Sequence, residues 1–558
     1  MDFSRFSSLC EELENTSSSL EKIEKISTFL SSTPLEQTAT TVRLLSGKPV
    51  FPPELKSGIG SNAVKQALSN AVSLPVDQIN ASLKETGDIG TTALLLKKKN
   101  TQKQATLIAF TDDESSLSVP EVHEKFNEIA ALNGSMSSSR KIKSLESLLS
   151  SVSPHEAKYI CRLALEDLRV GVAENTIVNA IAKTTQVESS IVDRAFNLTN
   201  DIGLVAQLAI TQGQTKLECL IPQPNRYIRP MLGQISKNTL EEIVSSFDNA
   251  ICEWKYDGAR LQIHKDGDNV RLFSKKPEDV TNSLPDVVES IRKYVNCEKA
   301  ILEGEVVAID ENNNPLPFKT LMQRIRRINN ISSYVESTPV CTYLFDVLLS
   351  DDEALIDQPL HLRREQLERI VKPSDRVLLS THLSTNDISD IDQMYNEALR
   401  AGHEGIMIKN PMSVYTAGKR GKDWIKKKPL MENLDLAITG GEWGQGRRAN
   451  VIGSYTLSCL DSKSNSYLSV GKLGTGISDE LLAKFTEMLK PYIESENGTE
   501  IVISPSFVLE ISYEEIQESP KYNSGYSLRF PRLVRLRDDK GITDIAPLEQ
   551  VKTLFAQQ

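Results

Sequence analysis

A chain of 558 residues is too long for one hydrophobic core, so roughly two to four domains are expected. Its 39% hydrophobic and 25% charged content are those of a soluble globular protein, and no apolar run approaches membrane-spanning length, which excludes a helical membrane protein. The net charge of −11 argues against nucleic-acid binding as a bulk property, because affinity for phosphate comes from Lys and Arg.

Net charge is only a sum. Basic residues gather in Lys97-Lys98-Lys99, in Arg324-Ile325-Arg326-Arg327, from Lys419 to Lys428 and from Arg529 to Arg537, so local positive surfaces are expected. The seven cysteines are scattered, with no C-x-x-C pair and no histidine at metal-ligand spacing, which predicts reduced thiols. The N-terminus Met1-Asp2-Phe3-Ser4-Arg5 lacks an apolar signal core, so a cytoplasmic, soluble monomer is expected.

In chain order, residues 1–215 read as helical, with Ser, Thr, Asn and Asp punctuating apolar residues at three- and four-residue spacing. Ser153-Pro154-His155-Glu156 offers an N-cap, a proline at the first helical position and a capping-box glutamate. That helix is expected to run through Ile160, Leu163 and Leu168 to a stop at Gly171, and a second to begin near Asn175. A helix N-terminus preceded by Arg169 and Gly171 is suited to hold a phosphate. Three prolines, Pro222, Pro224 and Pro230, break the helical period and predict a linker over 216–232.

From 233 to 430 short strands alternate with helices, an α+β pattern. Ile251 begins an apolar strand that reaches Lys255, just ahead of Tyr256-Asp257-Gly258, and Leu261-Gln262-Ile263 leaves toward an Asp266-Gly267 turn. A lysine amine attacks a phosphate only when unprotonated, and in water at pH 7 roughly one in 2,500 is. Desolvation and neighbouring cations such as Arg260 would favour the neutral form, and a cationic pocket also suits a triphosphate.

Ile301 to Ile309 is apolar apart from Glu303 and Glu305, which share one strand face; buried carboxylates need partners, and a ribose hydroxyl or a metal would satisfy one of them. Phe318 to Arg327 reads as a basic helix able to lie along a phosphate backbone. Thr342 to Leu348 is a buried strand carrying Phe345, and Glu404 stands at the mouth of another, Gly405 to Lys409. Lys426 and Lys428 share a strand face and can approach one phosphate. Residues 431–558 show about five short strands separated by glycine-bearing turns, which predicts an all-β domain of the oligonucleotide-binding (OB-fold) kind.

Lys255-Tyr256-Asp257-Gly258-Ala259-Arg260 resembles the adenylated-lysine motif of covalent nucleotidyltransferases, and the flanking sequence resembles ATP-dependent DNA ligases of the archaeal type. The likeness extends to Leu272–Asp279, Ile301–Ile309, Glu404–Lys409, Tyr415–Lys428, Gly441–Arg448, Gly471–Gly476 and Arg529–Lys540, in the family's order. It implies a multidomain protein: an all-α DNA-binding domain over 1–215, an α+β adenylation domain over 233–430 and a C-terminal OB-fold domain. Asp167-Leu168-Arg169-Val170-Gly171 and Gly87-Asp88-Ile89-Gly90 would grip the duplex backbone.

The resemblance implies nick sealing in duplex DNA, for replication, repair and recombination, with ATP as substrate and Mg²⁺ or Mn²⁺ as cofactor. Lys255 would carry AMP; Glu253, Arg260, Lys275, Glu305, Phe345, Arg420, Lys426 and Lys428 would hold the nucleotide, with Phe345 stacking on adenine; Glu305 and Glu404 would hold the metal. Lys275 departs from the family, which has arginine there, and so keeps the charge without the bidentate fork. Arginines between Arg529 and Arg537 would clamp the departing pyrophosphate. Gln104, Leu107 and Phe110 resemble a sliding-clamp-binding peptide, with Thr111 in place of its second aromatic.

Overall fold

The computed structural model describes residues 1–52, 55–104 (backbone only for 101–104), 117–134, 136–236, 238–327, 331–429, 431–444, 448 and 450–557. They fall into two units, Met1–Asn80 with Ile89–Lys428, and Ala81–Asp88 with Pro429–Gln558. The clamp-like residues Leu107 and Phe110 lie outside the described residues, as does the side chain of Gln104. All seven cysteines are free thiols, and among the described residues no helix is long and apolar enough to cross a membrane.

The first unit opens with helices from Phe3–Glu14 to Ile202–Glu218. Pro154–Ala164 shows how they pack. Its N-terminus carries the expected capping box between Ser153 and Glu156, and its apolar side buries Tyr159, Ile160 and Leu163. The opposite side is buried too, because Lys158 and Arg162 pair with Glu11 and Glu14 of the first helix, each at 2.9 Å. The helix stops earlier than expected. Glu166 turns to φ +54°, and the Asp167 N–H reaches back to the Arg162 carbonyl at 3.0 Å, a Schellman-type closure in which glutamate takes the place usually held by glycine.

In two of the basic runs one residue is structural, while Lys98, Lys99, Arg326 and Arg327 stay exposed. Lys97 caps the carbonyl ends at Leu149 and Val152. Arg324, in the helix Phe318–Ile325, is 1% exposed, bonded to the Thr338 carbonyl and paired with Asp286, so it cannot lie along a phosphate backbone. Hydrogen-bonded burial of a guanidinium is not announced by a run of basic letters.

The remainder of the first unit holds two sheets. Its strands are β1 Leu232–Ile235, β2 Ile251–Lys255, β3 Ala259–Asp266, β4 Asn269–Ser274, β5 Lys299–Ala308, β6 Val340–Ser350, β7 Glu353–Ala354, β8 Val377–Leu379, β9 His382–Ser384, β10 Gly405–Lys409 and β11 Arg420–Lys427. One sheet runs β1-β11-β10-β2-β9; the other runs β4-β3-β5-β6-β7, with β8 parallel to β6. Lys255 ends β2, as expected, but β2 and β3 are not hairpin partners. The Tyr256-Asp257-Gly258 turn carries the chain from one sheet into the other, where β3 pairs with β5.

Residues 219–231 are irregular but not a solvated tether. Tyr227, Ile228 and Met231 are buried; Ile228 and Met231 pack in one cluster with Leu198 of the helical part and Trp424 of β11. The Gln262 side chain bonds both polar groups of the Ile228 backbone, at 2.8 and 3.0 Å.

The second unit carries β12 Leu434–Trp443, β13 Ile452–Asp461, β14 Ser466–Leu473, β15 Ile493–Asn497, β16 Glu500–Ile503, β17 Val508–Ser512, β18 Glu515–Glu518, β19 Tyr526–Arg529 and β20 Arg532–Leu536. Seven of these form one antiparallel sheet, and β18 pairs with β19. The domain is not all-β: helices Asp479–Leu489 and Leu548–Ala556 pack on it. The first is capped by Ser478 and buries Leu482, Phe485 and Leu489, a three- and four-residue spacing that strand counting passes over.

Candidate active site

Lys255 at the end of β2 lies directly opposite Gly405 at the start of β10. The Glu404 N–H donates to the Lys255 carbonyl at 2.9 Å. This register brings the Lys255 amine against the Glu404 carboxylate, which also pairs with Lys428; Lys255 and Glu404 are each 19% exposed. Burial pulls the Glu404 carboxyl upward, but Lys255 and Lys428 outweigh it and hold it down at about 2. Gly405 adopts φ +128°, and a Cβ there would meet the Lys427 carbonyl oxygen at 2.3 Å, so only glycine fits between β2 and β11.

Glu305 enters from β5. It is half-buried, and desolvation lifts its carboxyl to about 7, opposed by Lys255 and Arg260 and reinforced by the negative charges of Glu404 and Asp257. Facing these carboxylates is a set of cations. Burial, then Lys255, Lys275, Lys428 and Arg420, bring Lys426 down to about 8. Lys275, exposed at the rim, is also lowered, by partial desolvation and then by Arg260, with Arg420 and Lys255 adding to it. The structure thus gathers Lys255, Lys275, Glu305, Glu404, Arg420, Lys426 and Lys428 in one place.

Glu253, Arg260 and Phe345 form the inner wall, already engaged with protein. Glu253, 2% exposed, pairs with Lys409 at 2.5 Å and with Arg364 at 3.4 Å. Arg260 donates to Glu303 at 2.8 Å, to the Met231 carbonyl at 2.7 Å and to the Tyr415 hydroxyl at 3.2 Å. Glu303 also accepts from Gln262 and from Tyr415, each at 2.9 Å. Of the two carboxylates on that strand face, Glu303 is satisfied by protein and Glu305 is the one turned to Lys255. Phe345 is half-buried, with Lys409 Nζ 4.7 Å and Arg260 5.4 Å from its centroid.

Sequence reading missed the residues that set the Lys255 register from behind. Tyr256 stacks on Tyr343 at 4.0 Å and meets His403 edge-on at 4.7 Å. The neighbours of Lys255 and of Glu404 are therefore held ring to ring. Burial keeps His403 neutral, at about 4. No spacing rule joins residues 256, 343 and 403; the β2–β10 register does. Lys22 is a second omission: it donates to the carbonyls of Val170 and Gly171, both at 2.8 Å, fixing the turn that precedes the helix Glu174–Thr185. In the second unit Arg529, Arg535 and Arg537 pair with Glu515, Glu510 and Asp435 at 2.9, 2.7 and 2.9 Å.

A partly buried lysine among facing carboxylates and cations, between two sheets, is an arrangement suited to handling phosphates. Family comparisons give that arrangement its identity. The ATP dependent DNA ligase domain matches residues 230–428, the DNA ligase N terminus residues 2–182 and the ATP dependent DNA ligase C terminal region residues 448–540. The chain belongs to the ATP-dependent DNA ligase family. It is 44% identical to DNA ligase 2 of Methanosarcina acetivorans over 563 residues, covering 100% of this chain and 99% of that one. It is 41% identical to the DNA ligase of Archaeoglobus fulgidus, again over 100% and 99% of the two chains. The solved structure Pmar-Lig_PreS3 shares the fold at TM-score 0.58 and 17% identity, over 95% of this chain and 99% of that one.

Proposed function

We propose that this chain seals nicks in duplex DNA with Lys255 as the residue that carries AMP. The observation that carries the reading is the Lys255 amine held by the β2–β10 register against Glu404, within reach of Glu305 and beside Lys426 and Lys428. In the first step Lys255 Nζ attacks the α-phosphorus of ATP: an N–P bond forms, the bond to the β-phosphate oxygen breaks and pyrophosphate leaves. A 5′-phosphate oxygen at the nick then displaces the amine, and the 3′-hydroxyl next displaces AMP to form the phosphodiester.

Lys426, Lys428, Lys275 and Arg420 supply fixed positive charge where the phosphates gain negative charge. Phe345 offers a ring face to the base, with Glu253 and Arg260 bracing that wall. Glu305 and Glu404 suit a divalent ion: they are hard oxygen donors close enough for the charge of Glu404 to raise Glu305, a repulsion that a bound cation would relieve. Mg²⁺ or Mn²⁺ bound there would neutralise charge developing on the phosphates. We read the antiparallel strands of the second unit, which share one core, as an OB-fold barrel.

Labelled ATP followed by nicked duplex tests the reading: AMP is expected on Lys255 and then on the DNA 5′ end. Label elsewhere, or labelling by GTP alone, would overturn it.

The raised Glu305 gives a pH signature. Its carboxyl stands at about 7 rather than the ordinary 4.5, so the folded chain holds this proton more tightly than the unfolded chain does. Its contribution to stability is complete below about pH 4.5 and is lost as pH rises through about 7. The ionised form is the one that binds a cation, so binding of Mg²⁺ or Mn²⁺ to the nucleotide-free chain should strengthen roughly tenfold between about pH 6 and pH 8. Glu305→Gln should weaken that binding and remove the rise; an unchanged rise in the variant would take Glu305 out of the site.

Gly258 adds a steric test. A Cβ there would stand 2.4 Å from the Val306 carbonyl oxygen and 3.0 Å from Glu305 Cγ. Gly258→Ala must push the Lys255 turn away from β5, at a cost of about 1–3 kcal/mol of strain. Thermal melting should register that strain, and AMP formation should fall at least about tenfold because Lys255 and Glu305 separate.

A further inference from the structure

We propose that Arg229 is a positioning residue that couples the helical part of the first unit to the nucleotide site; the proposal rests on the ligase reading above. Arg229 lies in the irregular segment before β1, yet every polar group of its side chain is committed to the helical part. Its terminal nitrogens donate to both oxygens of Glu174 at 2.7 and 2.8 Å, and Nε donates to Asn200 Oδ1 at 3.1 Å. Its guanidinium lies over the Phe196 ring, 3.9 Å from the centroid. Glu174 is the first residue of the helix Glu174–Thr185, just beyond the Arg169–Gly171 turn.

Two short paths lead from Arg229 to the chemistry. On one side its carbonyl accepts from the Gly418 N–H at 3.0 Å. Gly418, at φ +72°, lies so close to Asn197 that a Cβ would stand 2.2 Å from Asn197 Oδ1. Lys419 pairs with Asp193 at 2.9 Å, and β11 then begins at Arg420 and carries Lys426. On the other side Met231, two residues on, accepts from Arg260 at 2.7 Å and donates to the Tyr415 hydroxyl at 3.0 Å. The segments leading to both walls of the nucleotide site therefore touch the residue that grips Glu174, while the walls themselves are held by their own sheet pairing.

The junction is polar. A cavity of about 470 Å³ borders it, lined among others by Glu174, Asp193, Asn197, Arg229 and Lys419. Leu198, packed with Ile228 and Met231, supplies apolar contact there. A shift of the Glu174 helix when the preceding turn meets DNA phosphate has a direct hydrogen-bonded route to Gly418 and Met231 through Arg229, beside the packing contacts of Asn197 and Leu198. The guanidinium transmits direction as well as charge, because its two forked bonds fix the angle between the segments.

The test separates partial reactions in the full chain. Wild type, R229K, R229Q, E174Q and the R229Q/E174Q double variant are compared for covalent AMP formation without DNA, and for single-turnover AMP transfer from preadenylated enzyme to nicked duplex. Thermal melting runs in parallel, and E174Q alters a carboxylate that is 43% exposed, so the fold should tolerate it. R229Q and E174Q should each slow transfer roughly fivefold to thirtyfold, with AMP formation changed less than about twofold. R229K should recover part of the loss, and the double variant should be no worse than the poorer single one, since both break one link.

Equal losses in the two partial reactions, multiplying losses in the double variant, or no loss in transfer would overturn the coupling while leaving the ligase reading intact. Absence of AMP on wild-type Lys255 would overturn both.

Discussion

Replacing Lys255 by alanine is expected to abolish AMP labelling and ATP-driven nick sealing together, each by more than about ten-thousandfold, because in the proposed mechanism its amine forms the first covalent bond. Neighbouring amines are poor substitutes. Lys428 shares the Glu404 carboxylate but follows β11, whereas Lys255 ends β2. Lys426 sits across β10 from β2, separated from it by a strand. The fold should survive, since Lys255 is partly exposed and its removal still leaves Glu404 paired with Lys428.

A sharper form of this prediction uses DNA that already carries AMP on the 5′-phosphate of the nick. Its sealing needs only attack by the 3′-hydroxyl, so the alanine variant should retain measurable sealing of that substrate while failing with ATP. Gel resolution of ligated and adenylated strands checks both arms. ATP-driven sealing by the variant would sink the assignment of Lys255, and loss of both activities with an intact melting curve would mean that the lysine also positions DNA.

Much of this site was legible because its residues lie in short runs whose chemistry is local. Lys255 ahead of Asp257-Gly258, Glu305 inside an apolar strand and Lys426 beside Lys428 can each be read within about ten letters. What could not be read is what long-range pairing decides. Nothing near Glu303 tells that Arg260, Gln262 and Tyr415 will satisfy it, leaving Glu305 to face Lys255. Basic letters misled for the same reason: Lys97 and Arg324 look like a phosphate-binding surface until their carbonyl partners are known. The segment around Arg229 reads as a linker because proline removes helical period, yet period says nothing about burial. The helix Asp479–Leu489 was lost among strand and turn signals, although Leu482, Phe485 and Leu489 carry its spacing.

Glu404→Gln should slow AMP formation roughly a hundredfold to a thousandfold and raise the concentration of metal needed, and the sign of this result is informative because two effects oppose each other. An anion beside an amine favours its protonated form, so deleting that anion alone would help attack. Against this, a carboxylate held down at about 2 is ionised throughout the working range. Its stabilising contribution is present above the ordinary 4.5 and is lost only as pH falls through about 2, so near neutrality it stays ionised as a counter-charge to Lys255 and Lys428.

Removing it leaves Lys255, Lys426 and Lys428 without that anion and leaves Glu305 as the remaining carboxylate for a cation. Lost charge neutralisation at the phosphates is worth several kcal/mol, more than the gain at the amine, so the variant should be slower. Rates measured across a metal titration distinguish the two terms: partial rescue at high metal supports ligation by Glu404. A variant faster than wild type with an unchanged metal requirement would mean that Glu404 serves only to store the lysine until the nucleotide arrives.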